Sequence, residues 1–309
     1  MLTLALDIGG TKVSAGLVDP VGTVVHSAKN PMPHTHDPER VWAAVEELIT
    51  DVLTAAGGAV RGAGIAAAGP ISIADGTVTP LNIPAWRGFP IVARVTAVLP
   101  GGPVRLAGDG VCMALGEHWR GAGRGSRFLL GIVVSTGVGG GLVLDGAPYQ
   151  GRTGNAGHVG HLVVESGGVP CVCGGHGCVE AIASGPSLTR WARVNGWTGA
   201  DAALLAAAAA AGQEVPVRAF ERGATALAAM IASVGAVCDL DLVVVGGGVA
   251  KSGAVLFDPL RAALGGYACV EFIRGLRVVP AELGDDAGLI GAARLVSSRL
   301  PRQSRPLSP

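Results

Sequence analysis

At 309 residues the chain is longer than a single hydrophobic core usually supports, and its 23 basic and 23 acidic residues cancel to a formal charge of zero. No basic block marks a nucleic-acid surface, no apolar run reaches the roughly 18 residues of a membrane span, and no positively charged leader precedes the first strand. The expectation is a cytoplasmic, globular protein of two domains with neither nucleic acid nor membrane as partner.

In chain order, residues 2–6 read as an apolar strand, Asp7-Ile8-Gly9-Gly10-Thr11-Lys12 as a tight turn, 13–18 as a returning strand, and 19–22 as a second hairpin turn. Pro38–Ala55 reads as a helix, GIAAAGP at 64–70 ends a strand, and TPLNIPAW at 79–86 is a loop. A short strand at 104–107 precedes a helix at about 110–119. The strand–turn–strand unit then recurs: 128–134 as strand, 135–141 (STGVGGG) as turn, 142–144 as return and Asp145-Gly146 as hairpin turn, which reads as an internal duplication. Helices are expected near 187–194, 200–211 and 217–237. A buried strand at 242–245 runs into Gly246, Gly247 and Gly248 before another helix. A final helix over 285–298 begins with two carboxylates, which suit the positive end of a helix, and 300–309 reads as a disordered tail.

Backbone N–H groups in glycine-rich turns converge on anions because no Cβ blocks the approach, and Thr11 and Lys12 add donors. A single such turn means little, since many hairpins carry glycine pairs for turn geometry alone. Here three follow directly on apolar strands, and none matches the P-loop or the dinucleotide fingerprint. They suit a nucleotide held between two related domains. Its phosphates would meet the turns at Gly9, Gly10, Thr11, Lys12, Thr136 and Gly137, and its adenosine end Gly246, Gly247 and Gly248.

The segment GHVGHLVVESGGVPCVCGGHGCVE at 157–180 carries the sharpest local signal. His161, Cys171, Cys173 and Cys178 supply the four soft or borderline ligands of a closed tetrahedral zinc site, with glycines that let the backbone fold tightly around an ion. Three clustered cysteines pair poorly as disulfides, and His176 is a spare candidate within the tight turn. Cys112, Cys238 and Cys269 read as ordinary core residues.

Taken together, DIGGTK at 7–12, GIAAAGP at 64–70, LNIPAW at 81–86, GDGVCMALGE at 108–117, STGVGGG at 135–141, GHVGH at 157–161, CVCGGHGCVE at 171–180, VVGGGV at 244–249 and DDAGLIGAA at 285–293 resemble, in order, the ROK (repressor, open reading frame, kinase) family of sugar kinases. The resemblance implies an actin-like, hexokinase-type (ribonuclease H-like) α/β fold with mixed sheets and an interdomain cleft. It divides the chain into a small domain, 1–107, completed by the C-terminal helix 285–299, and a large domain, 108–284, holding the zinc motif. The implied reaction moves a phosphoryl group from ATP, with Mg2+, to a sugar hydroxyl, usually on C6.

The family pattern assigns Asp109 as catalytic base, Asp7 as the carboxylate near magnesium, and Asn82, His158, His161 and Glu180 as sugar-binding positions. His161 would hold Zn2+ by one ring nitrogen and offer the other to the sugar. Homodimers or homotetramers are usual in the family. Two positions depart from the pattern: Gly108 stands where Asn is common, and His158 where Glu is usual. The H-x-G-H form followed by CVEAIASG at 178–185 resembles N-acetylmannosamine kinases, while the loops resemble glucokinases equally. A repressor role is disfavoured because the sequence starts at the first strand. A sugar-binding protein that lost turnover is disfavoured by Asp7, Lys12 and Asp109.

Overall fold

The computed structural model of the protein describes residues 1–99 and 101–297. The tail 300–309 and the end of the expected last helix lie outside the described residues. In the first half, β1 (Thr3–Ile8), β2 (Lys12–Val18) and β3 (Val24–Pro31) form an antiparallel meander. Helix α1 (Pro38–Ala55) crosses to β4 (Ala63–Ala67), parallel to β1. A small hairpin, β5 (Ile71–Ser72) and β6 (Thr77–Val78), and α2 (Ile91–Val98) lead to β7 (Val104–Gly108), parallel to β4. Helix α3 (Asp109–Arg120) then starts the second half, where β8 (Phe128–Val134), β9 (Val138–Leu144) and β10 (Ala147–Tyr149) form another meander. Four helices follow, α4 (Val179–Ala183), α5 (Gly185–Val194), α6 (Ala202–Ala210) and α7 (Glu214–Cys238), before β11 (Leu242–Gly246) joins parallel to β8. Helix α8 (Ala254–Tyr267) crosses to β12 (Arg277–Pro280), and α9 (Ala287–Ser297) closes the described chain.

The sheet orders are β3-β2-β1-β4-β7 and β10-β9-β8-β11-β12, the same pattern of two hairpins and two parallel neighbours. The duplication expected from two strand–turn–strand units therefore extends over both whole sheets.

Local chemistry accounts for the elements. Asp37 caps α1 by accepting from the N–H groups of Glu39 (2.9 Å) and Arg40 (3.4 Å), and Pro38 begins the helix. Val41, Val45, Leu48, Ile49 and Val52 recur at helical spacing and bury one face of α1. In β1, Leu4, Leu6 and Ile8 point to the outer core with α1, whereas Ala5 faces the layer between the sheets. Strand alternation sends Asp7 to that same inner side. The β9–β10 turn holds Asp145 and Gly146 at φ 51° and 75°, the left-handed pair that a two-residue hairpin needs.

Between the sheets, α3 packs on the second sheet, α9 on the first, and the two helices on each other, sharing one core with Ala5, Ala66, Leu129 and Val244. The seam is nearly side-chain-free: a Cβ on Gly291 would lie 1.7 Å from the Cys112 carbonyl oxygen, one on Gly116 2.2 Å from that of Ala287, and one on Gly64 1.8 Å from that of Ala292.

Four expectations are corrected. Residues 138–141 belong to β9 rather than to a turn, so the turn is only Ser135-Thr136-Gly137. Gly140 and Gly141 serve close packing: a Cβ on Gly141 would meet Val111 Cα at 2.3 Å, whereas one on Gly139 would meet nothing within 4 Å. Asp285 and Asp286 lie in a short 3₁₀ turn (Gly284–Asp286) ahead of α9. Cys269 is exposed rather than in the core. Among the described residues α7 is long and apolar enough by composition to cross a membrane, yet one face is buried against α4, α5, α6 and α8, which accounts for its apolarity.

Candidate active site

Of three neighbouring cavities, two lie between the halves and the third, the largest, lies wholly in the second half. A polar one of about 580 Å³ is walled by Asp7 of β1 and Lys12 at the start of β2, Asp109 from the start of α3, Gly246, Gly247 and Gly248 at the end of β11 and beyond it, and Asp285 and Gly288 before and within α9. It shares Ser135, Gly248 and Lys251 with a larger, mostly apolar cavity of about 950 Å³, which α5 and α6 also line and which Thr136 enters. A pocket of only about 20 Å³ lies beyond Asp109, lined by Gly69, Gly108, Asn155 and His158 among others. Asp109 is the one residue that lines both the polar cavity and this small pocket.

Asp109 owes its position to backbone packing. Its carboxylate accepts from the N–H of Gly110 at 2.7 Å, at the positive end of α3. Gly110 can stand there because it has no Cβ; one would lie 2.4 Å from the Gly140 carbonyl oxygen of β9. Burial raises the Asp109 carboxyl above its ordinary range, opposed by that N–H and by the charge of His158. Asp7 is pushed up to about 7, mainly by burial and then by the charge of Asp109, with Lys12 opposing. Two carboxylates in a desolvated cavity call for a cation, and their hardness suits a magnesium ion that keeps its waters. Lys12 donates to Asp285 at 2.9 Å, an exposed ion pair across the mouth of the cavity.

Other residues singled out by sequence are distributed around this centre. Gly9 closes the first turn by donating to the Lys12 carbonyl (3.0 Å), and Gly10 lies under the Asn82 side chain, which a Cβ would meet at 2.3 Å. Gly9, Gly10, Thr11 and Asn82 do not line the three cavities. Glu180, at the start of α4, accepts from the Val138 N–H at 2.9 Å and so braces the second turn from behind, with Gly137 pressed against its carboxylate. His158 and His161 stand with ring centroids 5.8 Å apart, and the His158 ring covers Gly69 of the opposite half. A Cβ on Gly108 would meet nothing within 4 Å, leaving open space at the lip of the small pocket.

The metal candidates converge. One ligand atom from each of His161, Cys171, Cys173 and Cys178 lies within 4.8 Å of every other. A tetrahedron on metal–sulfur bonds of about 2.3 Å has edges of about 3.8 Å. The Cys173 and Cys178 sulfurs are 3.8 Å apart, and His161 Nδ1 is 3.7 Å from the Cys171 sulfur. The set therefore fits zinc, with Nε2 of His161 turned away from the sulfurs.

Sequence reasoning missed Ser135, Lys251, Asp285 and Asn155. Asn155 joins the halves, its side chain donating to the Ile71 carbonyl (2.8 Å) and accepting from the Ile71 N–H (2.9 Å). Nothing in local pattern marks a residue whose partner is 84 positions away. Lys251 and Asp285 did carry a signal, a charged side chain directly beyond a glycine run or before a helix.

The chain is similar to a glucokinase of Thermotoga maritima, 33% identical over 313 residues that cover 96% of this chain and 98% of the relative. It is also similar to an N-acetylmannosamine kinase of Citrobacter koseri, 36% identical over 296 residues, 96% and 98% of the two chains. Among solved structures, a ROK family glucokinase from Streptomyces griseus, in complex with glucose and AMPPNP, superposes with a TM-score of 0.82 at 32% identity, covering 96% of this chain and 99% of the other. The ROK family profile matches residues 3–299, and with the paired sheets and the cavities between them in place, the chain belongs to the ROK family.

Proposed function

We propose that the protein transfers the γ-phosphoryl group of MgATP to the C6 hydroxyl of a hexose or N-acetylhexosamine, with an N-acetylmannosamine-type sugar ahead of glucose. That it is a sugar kinase follows from its family and relatives. The single observation that carries the site assignment is Asp109, the one wall common to a polar cavity fit for phosphates and a small pocket fit for a sugar hydroxymethyl group.

In this reading the adenosine lies in the apolar cavity and the phosphates run past Gly248 towards Asp7 and Lys12. Asp109, ionised, takes the proton of the attacking hydroxyl as the new oxygen–phosphorus bond forms and the bond to ADP breaks; ADP leaves with the electron pair. Asp7 would hold magnesium, which when bound neutralises charge on the phosphates. Asn82, His158, His161 and Glu180 are proposed to orient the sugar. Zinc held by His161, Cys171, Cys173 and Cys178 would fix the His161 ring and take no part in the chemistry. We place the domain boundary at 107/108, with α9 completing the smaller domain, a division supported by the contact of Gly64 with Ala292.

The open space at Gly108 supports the acylated sugar, because a substituent on the ring has room where a side chain is missing. The glucose complex of the Streptomyces griseus neighbour favours glucose as the second reading. A coupled ADP-release assay over glucose, mannose, N-acetylglucosamine and N-acetylmannosamine decides between them. The expected ranking puts N-acetylmannosamine first; glucose far above the rest would overturn the preference, and no turnover on any sugar would overturn the kinase.

A further inference from the structure

We propose that Lys251 is a ligand for the phosphates of the donor nucleotide, reaching them from the second half of the molecule while Lys12 approaches from the first. The proposal rests on the kinase reading above. The chain has 20 arginines but only three lysines, Lys12, Lys29 and Lys251. Lys251 sits in a short 3₁₀ turn (Ala250–Ser252) just beyond the glycine run that ends at Gly248. With Ser135 and Gly248 it forms the wall shared by the apolar and polar cavities. A nucleotide with its base in the first cavity and its terminal phosphate near Asp109 must cross that wall with its polyphosphate.

Charge makes the position matter. The charged residues lining the polar cavity are Asp7, Asp109, Asp285, Lys12 and Lys251. Lys12 is already paired with Asp285 at 2.9 Å. Lys251, exposed and with no ion pair among the described residues, is thus the uncommitted cation on the wall of the cavity that holds the two buried carboxylates. Its ammonium lies within electrostatic reach of Asp285 on the wall of that cavity, whose carboxyl is held below its usual range chiefly by Lys12, with Lys251 and Lys29 adding to it. A lysine ammonium is a compact charge with rotatable donors, suited to a chain of phosphates that shifts as its terminal group is transferred. The bland alternative is a solvated surface lysine, which would contribute nothing to nucleotide affinity.

Titration calorimetry of the purified full chain with ADP and, separately, with adenosine distinguishes the two, using the parent, Lys251→Met and Lys251→Arg. Removing a charged hydrogen-bond partner is expected to weaken ADP binding about tenfold or more in Lys251→Met. Adenosine binding should stay unchanged, and Lys251→Arg should recover part of the loss. In steady-state assays KM for MgATP should rise while KM for the sugar holds. Unchanged ADP affinity in Lys251→Met overturns the proposal, as does equal weakening of adenosine and ADP, which would mean a damaged pocket. A parent chain that binds no ADP would overturn the kinase reading, and the assignment of Lys251 with it.

Discussion

The two sheets repeat one topology, yet the junctions where each feeds its inner helix have diverged. After β7 the chain enters α3 with Asp109 as its first residue, buried and held by the Gly110 N–H. After β12 it enters α9 through Asp285 and Asp286, and Asp285 is solvent-exposed and tied to Lys12. Both junctions place a carboxylate at the positive end of a helix facing the same cleft. Only the first withdraws it from water, which raises its proton affinity. The duplicated scaffold thus supplies two related positions, one carboxyl raised by burial and the other lowered chiefly by its hydrogen bond and ion pair with Lys12.

The sharpest way to break this contrast is to remove each carboxylate in turn. Asp109→Asn should cost on the order of a thousandfold in kcat with sugar affinity retained. The pH profile follows from the same burial. A base works only when ionised, so kcat/KM of the parent falls as pH drops through the raised pKa of Asp109, at higher pH than an exposed carboxylate would give. Asp7 and Asp109 interact, so that limb belongs to the pair. An acid limb in the ordinary carboxylate range would remove Asp109 as the base.

The second half differs from the first also in its insertion between β10 and β11, which carries the candidate zinc ligands. Cys178→Ser is expected to lose zinc and to cost more than about 3 kcal/mol, a fall in Tm of roughly 6–12 °C, because structural metal binding adds directly to folding free energy. Elemental analysis and a melting curve check this, and full metal content would refute the ligand set. Next in size, Gly291→Ala should destabilise by about 2–3 kcal/mol in denaturant, because its Cβ would press on the Cys112 backbone. Gly108→Asn, at an open position, should leave stability within about 0.5 kcal/mol. It should still shift the sugar ranking by about tenfold, as the gain or loss of one polar contact does. The smallest effect belongs to the exposed junction: Asp285→Asn should change kcat no more than about threefold, as expected of a surface ion pair. A thousandfold loss there would erase the distinction between the two junctions.

Much of this was legible in the sequence, and what was not has a physical pattern. Helix α1 was readable to the residue because Asp37, Pro38 and the buried stripe all agree. Helix α2 went unread: IVARVTAV is rich in β-branched residues, has no side-chain cap, and is helical because Ile91 and Val95 pack into the first core. Gly140 and Gly141 were read as part of a turn because a missing Cβ has the same signature whether the need is a bend or close packing. At the site, the candidate zinc ligands stood out by spacing, whereas Asn155 matters through a partner 84 positions away, which no local pattern records.

The last described helix has a bearing on synthesis. Gly16, Gly62 and Gly64, all in or beside the first sheet, pack against Leu289, Val296 and Ala292 of α9. The inner face of the first sheet is therefore covered by a helix that is made only after the whole second sheet. A nascent chain carries that face uncovered while β8–β12 and their helices are translated, so closure of the N-terminal sheet waits until α9 has emerged.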